Sequence, residues 1–200
     1  RRPLVYVPNL SEDQIDLLQG QGFEKFDEEA WMVCNSRESA HGKSEHVVEV
    51  HDQQTLNQFV ETFSASFQIK ESGYRRALVQ QQAPGSPRSR HFLLFDQARR
   101  PVSVGTLISD GEIACLYNVG TPPGERKKGY GGQIFQHLAA TAKETGCSTL
   151  FLQVENNSNA KRLYERFGFA TAFVRTGFRY RNWEANRLER TKLSNLLGFR

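Results

Sequence analysis

A glycine-rich turn set between an apolar run and an amphipathic run constrains this chain more than any other stretch. Residues 119–132 read Val-Gly-Thr-Pro-Pro-Gly-Glu-Arg-Lys-Lys-Gly-Tyr-Gly-Gly; Ile113 to Val119 leads in and Gln133 to Thr145 leads out. A strand that feeds such a turn and then a helix start presents bare backbone N–H groups, and the helix terminus adds roughly half a positive charge, so the stretch suits a phosphate. Arg126, Lys127 and Lys128 put mobile cations beside it. The turn lacks the Gly-Lys-Ser/Thr ending of a P-loop, and glycines at 129, 131 and 132 do not make Gly-x-Gly-x-x-Gly. Glu155 lies past the next strand, where a dinucleotide site wants a ribose ligand, but without the glycine spacing that carboxylate carries little weight.

The pattern Arg126-x-x-Gly129-x-Gly131, with its lead-in Val119-x-Thr121-x-Pro123, resembles the pyrophosphate loop of the GNAT superfamily of N-acetyltransferases. A second segment carries the same resemblance. Asn157, Ala160, Leu163, Tyr164, Gly168 and Phe169 match the family's Asn-x-x-Ala-x-x-Leu-Tyr-x-x-x-Gly-Phe signature without a gap. Read physically, Leu150–Val154 is a buried-strand run, and Asn157 and Ser158 are good N-caps. Ala160, Leu163, Tyr164 and Phe167 share one helical face, and Gly168 is a natural stop. The resemblance covers about residues 45–185.

At 200 residues, with a hydrophobic share of 38%, the chain holds one domain, or one plus a fragment, with a real core. No run of eighteen apolar residues marks a membrane span, and no secretory signal is present. The chain begins Arg-Arg-Pro without Met, which reads as a trimmed or engineered N-terminus. Cys34, Cys115 and Cys147 are odd in number and lack metal spacing, so they read as free core thiols in a reducing, cytoplasmic setting. His41 and His46 have no partner ligands at metal spacing and read as surface residues. The net charge of +4 is uneven, acidic early and basic late. No basic-aromatic module supports nucleic-acid binding.

Along the chain, residues 3–9 read as a strand, Ser11 starts a helix ended by Gly20 and Gly22, and Ala30–Cys34 reads as a further strand. A shift of 146 positions sets Gly22-Phe23 on Gly168-Phe169, Leu4 on Leu150, Asp13 on Asn159 and Leu17 on Leu163. Residues 1–44 are therefore either a degenerate half of a second module or an unrelated strand–helix–strand arm. Leu18 stands where Tyr164 would be, and no glycine turn precedes it, so the extension lacks the chemistry. Residues 35–45 read as a linker and Val47–Val50 as a short strand. Asp52 caps a helix with Leu56, Phe59, Val60 and Phe63 at helical spacing, and Tyr74–Gln80 reads as a short helix. Residues 80–90 form a Gln/Pro/Ser loop. His91–Phe95, Val102–Ser109 and Glu112–Val119 then form an antiparallel meander, with Asp110-Gly111 as a hairpin turn. A helical crossover from Ile113–Val119 to Thr149–Val154 predicts a parallel pair. Ala170–Tyr180 closes the sheet. Residues 186–200 end the chain as a basic helix or tail.

The resemblance implies an α/β (α+β) GNAT fold: a mixed central sheet with an antiparallel meander, splayed parallel strands and flanking helices. It implies transfer of an acetyl group from acetyl-CoA to a primary amine of a small molecule or peptide, with no metal. The other reading is a non-catalytic acyl-CoA-binding sensor or interaction module. A homodimer is compatible with either. Backbone N–H groups of Lys128, Gly129, Tyr130, Gly131 and Gly132 are the expected diphosphate cradle, with charge from Arg126 and Lys127. Leu116, Tyr117, Asn118 and Val119 are expected to pair with the pantetheine arm, and an N–H near Asn118 or Val119 to meet the thioester carbonyl. Asn157 or Asn159 is the expected amide contact. Tyr164 is expected near the sulfur as general acid. Phe67 and Tyr74 are acceptor-pocket candidates, with core packing the favoured role for Phe67. Some relatives carry a glutamate base on the strand before the turn. Here only Glu112, at its start, is acidic, which leaves water-mediated deprotonation, with Glu112 or Tyr117, equally open.

Overall fold

The structure is a computed structural model, and it describes residues 4–35, 42–70 and 88–181. The helix expected over Tyr74–Gln80, most of the loop at 80–90, His41, most of the 35–45 linker and the basic C-terminal segment lie outside the described residues. The chain divides into two compact units: residues 32–152 with 162–170, and residues 4–31 with 153–161 and 171–181 among those described.

The larger unit is built on a meander. Strand β3 (Val47–Glu49) pairs antiparallel with β4 (Ser89–Phe95), β4 with β5 (Pro101–Asp110), and β5 with β6 (Ile113–Gly120). The β5–β6 turn has Gly111 at its first central position with φ 56°, the left-handed conformation that such a tight hairpin demands. Strand β7 (Thr149–Glu155) runs parallel to β6, as the crossover rule requires.

Helix α2 (Gln53–Ser66) starts where expected, because the Asp52 carboxylate accepts from the Thr55 N–H at 2.7 Å and the Thr55 side chain returns the bond. Leu56, Phe59, Val60 and Phe63 pack with Val50, Leu93 and Val104 into one core. Helix α3 (Tyr130–Glu144) buries Ile134, Phe135 and Leu138. A Cβ on Gly105 would lie 2.6 Å from Leu138, so α3 sits directly on β5 there. Val104 meets α2 and its neighbour Gly105 meets α3. Successive strand residues face opposite sides, so the helices cover opposite faces of this sheet. Helix α4 (Asn159–Arg166) follows β7. Phe135 is the centre of an aromatic cluster: Phe167 stacks on it at 4.3 Å, with Tyr164 and Phe169 each at 5.7 Å.

In the smaller unit the strand order is β1 (Leu4–Pro8), β8 (Ala170–Tyr180), β2 (Phe23–Asn35), then the end of β7, where the Asn156 N–H donates to Glu28 O at 2.9 Å. β1 and β8 are antiparallel. Helix α1 (Glu12–Gly20) carries a Ser11–Gln14 capping box and buries no residue. β2 begins at Phe23, well before the expected Ala30. Its acidic first half hides the strand from a hydrophobicity reading. Those carboxylates answer the basic strand β8: Glu24 pairs with Arg179 and Glu29 with Arg175, whose guanidinium also lies 4.5 Å from the Tyr6 ring and 5.1 Å from that of Trp31.

Candidate active site

The candidate site starts where the β6–β7 ladder stops. Pairing runs from Ile113↔Thr149 to Cys115↔Phe151, so Leu116 to Gly120 lie beyond the paired register. On the other side β6 slips against β5: Thr106 faces Tyr117, but Val104 faces Gly120. This is a bulge, and Asn118 at its centre has φ 54°. The Leu116 side chain is buried, Tyr117 is 39% exposed, and Asn118 and Val119 are half-buried.

Side chains replace the missing ladder bonds. Asn118 Nδ2 donates to Thr106 Oγ1 at 3.2 Å, and Thr106 Oγ1 lies 2.9 Å from His91 Nδ1. Ser103 Oγ donates to Gly120 O at 2.8 Å. His91 is 3% exposed and its ring lies 5.0 Å from that of Phe59; burial drives its pKa down to about 4, so it is neutral near pH 7. The sequence reading missed His91, Thr106 and Ser103. The signal was there: a histidine and hydroxyls inside strands that are otherwise apolar need partners.

The glycine turn follows. A short 3₁₀ turn, Pro123–Glu125, leads to Gly129, whose φ of 87° makes the left-handed entry to α3. The first helical bonds are given by Gly132 and Gln133 to Gly129 O, at 3.0 and 3.1 Å. The N–H groups of Tyr130 and Gly131 come before that ladder. Gly131 and Gly132 face the α4 segment: a Cβ on Gly131 would lie 4.0 Å from Leu163 and one on Gly132 3.4 Å from Phe167, both ordinary contact distances. The two sequence motifs thus meet at the start of α3.

The cations divide their work. Lys128 Nζ is 2.8 Å from a Glu125 carboxylate oxygen. Arg126, expected to add charge to the cradle, donates to Thr121 O at 3.0 Å and to Ser66 O at 2.8 Å, tying the turn to the C-terminus of α2. That helix end is close: a Cβ on Gly120 would lie 2.8 Å from both Ser66 and Phe67. Phe67 is 50% exposed, which corrects its reading as a core residue. Tyr74 lies outside the described residues.

Tyr164 is 8% exposed, and burial pushes its phenol up to about 12. Glu112 precedes β6, at the end away from the glycine turn. It is exposed in the β5–β6 turn, where Ser148 Oγ donates to its carboxylate at 3.3 Å. Eight residues of β6 separate it from the glycine turn, roughly 25 Å of strand. Asn157 and Asn159 are exposed at the start of α4 in the smaller unit, and Ser158 is the cap, accepting from the Lys161 N–H at 3.2 Å. Among the described residues no three His, Cys, Asp or Glu side chains gather as metal ligands, and no helix is long and apolar enough to cross a membrane.

A diphosphate fits what is present: bare amides ahead of a 15-residue helix, a left-handed glycine entry, and Lys127 exposed beside it. Comparison with solved structures agrees on the fold. A GCN5-related N-acetyltransferase from Sphaerobacter thermophilus superposes with a TM-score of 0.70 at 16% identity, over 88% of this chain and 58% of that one. Another from Kribbella flavida gives 0.64 at 14% identity, over 90% and 68%. Among curated proteins, the [ribosomal protein bS18]-alanine N-acetyltransferase of Salmonella typhimurium is 33% identical over 66 residues, and that of Haemophilus influenzae 32% over 65. The matched stretch is 32% of this chain in each case and spans only 45% and 44% of those relatives. Residues 53–169 match the profile of the acetyltransferase (GNAT) family. That span is more than half of the chain and takes in the opened β6, the glycine turn and α4, and on it the protein belongs to the GNAT acetyltransferase family.

Proposed function

We propose that this protein transfers the acetyl group of acetyl-CoA to a primary amine of a small molecule or peptide. One observation carries the reading: β6 loses its parallel neighbour at Cys115 and runs within a few residues into a left-handed glycine and a helix N-terminus. An extended backbone edge and an anion site in one continuous stretch suit a ligand with an amide-bearing arm and a diphosphate.

Bound acetyl-CoA supplies the activated thioester. The rest falls to the chain. The Tyr130 and Gly131 amides, with those of Lys128 and Gly129 before them, hold the diphosphate, and Lys127 and Lys128 add charge. Leu116 to Val119 orient the arm as an added strand would. An N–H at Asn118–Val119 stabilises the oxyanion. The amine nitrogen forms its bond to the acyl carbon as the carbon–sulfur bond breaks. Tyr164, protonated throughout the neutral range, gives its proton to the leaving thiolate. With Glu112 distant, the attacking amine loses its proton to water. Phe67, half-exposed beside Gly120, lines the acceptor side. Two curated relatives act on the alanine of a ribosomal protein, which puts a peptide amine first in the acceptor panel.

Calorimetry with acetyl-CoA, set beside thiol release with a panel of amines, tests the reading. Saturable binding plus turnover supports it; no binding overturns it. Binding without turnover on any amine favours an acyl-CoA-binding module, the reading that the missing strand carboxylate keeps in play.

Residues 4–35 are proposed to be the closing half of a degenerate second module. Under the 146-residue shift β1, α1 and β2 fall on β7, α4 and β8, and Gly22 and Gly168 share the same left-handed φ, 88° and 86°.

A further inference from the structure

We propose that His91 and Thr106 are positioning residues that act through Asn118: together they fix the bulged end of β6, and with it the backbone N–H that would meet the thioester carbonyl. The inference rests on the acyl-transfer reading above.

The three residues sit on adjacent strands. His91 on β4 faces Thr106 on β5 in direct register, and Thr106 faces Tyr117, the residue before Asn118, on β6. His91 and Thr106 are 3% and 1% exposed. Buried polar groups in a sheet cost stability unless each finds a partner, and an apolar pair would pack there without that demand. Their hydrogen bonds converge on Asn118. With His91 Nδ1 as acceptor, the Thr106 hydroxyl donates to it and accepts from Asn118 Nδ2, so each group is used once and the Asn118 amide has one orientation.

Asn118 needs such a tether. Its φ of 54° is strained for a non-glycine residue, the β5 ladder slips beside it, and β7 has already parted from β6. Beyond it, Ser103 holds Gly120 O and Arg126 holds Thr121 O. The ladder of side chains therefore pins the one peptide that the backbone ladders leave loose. An oxyanion donor works only when it is fixed before the charge develops.

The test uses the whole chain with Thr106→Val, Thr106→Ser and Asn118→Gly, the last tolerating the left-handed backbone while removing the tether. Melting temperature, calorimetry with acetyl-CoA, steady-state kinetics with the best amine of the panel, and amide spectra of Val119 are recorded. Thr106→Val and Asn118→Gly are expected to lower kcat by about tenfold or more, and in Thr106→Val the Kd of acetyl-CoA and the KM of the amine stay within about threefold of wild type. Thr106→Ser restores kcat. Wild-type kcat in Thr106→Val or Asn118→Gly overturns the proposal. So does a joint fall of kcat, affinity and melting temperature that serine does not rescue. If the wild type itself binds no acetyl-CoA, the acyl-transfer reading is what fails. The spectra still judge the ladder: the Val119 resonance must move in Thr106→Val and return in Thr106→Ser.

Discussion

Tyr164 has almost no contact with solvent, and its ring lies among Phe135 and Phe169. A phenylalanine fills the same space, so Tyr164→Phe isolates the hydroxyl. General acid catalysis is worth about 100-fold or more, and we expect kcat to fall at least tenfold on that scale while acetyl-CoA affinity holds; equal turnover would remove Tyr164 from the mechanism. The buried histidine makes a separate prediction, about stability. His91 is held near 4 against an ordinary 6.5. Between those values the unfolded chain binds a proton that the folded chain refuses, so stability is lost as pH falls from about 6.5 towards 4, by up to about 3 kcal/mol. His137, also lowered by burial, adds in the same direction. Urea midpoints at pH 7 and pH 5 measure it, and a midpoint unchanged at pH 5 contradicts it. Neither residue effect follows from residue type alone. Tyr164 was legible because it stands inside a contiguous signature. His91 was not, because its partners lie on two other strands.

At the scale of elements, the end of β6 and the C-terminus of α2 act as one piece. Gly120 lets the helix end come into contact, and Arg126 bonds a carbonyl from each side of the junction. A guanidinium at a helix C-terminus also meets the negative end of its dipole. Arg126→Gln is expected to cost about 1 kcal/mol of stability and to raise the KM of the acceptor amine, while acetyl-CoA affinity changes less than about threefold. A direct phosphate ligand would instead lose affinity sharply, with a weaker salt dependence of binding. Calorimetry at two salt concentrations separates the cases. The elements themselves were mostly legible. The meander, the capped α2 and the parallel crossover follow from local turn chemistry and apolar period, and the hairpin turn falls on Gly111-Glu112, one residue past the expected Asp110-Gly111. The first half of β2 did not, because Glu29 and Glu24 find Arg175 and Arg179 some 150 positions away.

For the molecule as a whole, the aromatic cluster joins the two signature motifs. Phe135 of α3 touches Tyr164, Phe167 and Phe169, so it locks the glycine turn to the segment that carries the proposed acid. Phe135→Ala should cost about 3–5 kcal/mol and weaken acetyl-CoA binding with it; thermal melts and calorimetry on the same sample check both, and a stable variant with intact binding would refute the coupling. Sequence by itself determined the order of strands and helices in most of the chain, the glycine turn and the family, because glycine placement, caps and periodicity act over a few residues. Tertiary structure alone decided that Glu112 sits at the far end of β6, that Arg126 serves the α2 junction, and that His91 and Thr106 reach Asn118. Those relations depend on strand register and on packing between distant segments, and no local pattern of residues encodes either.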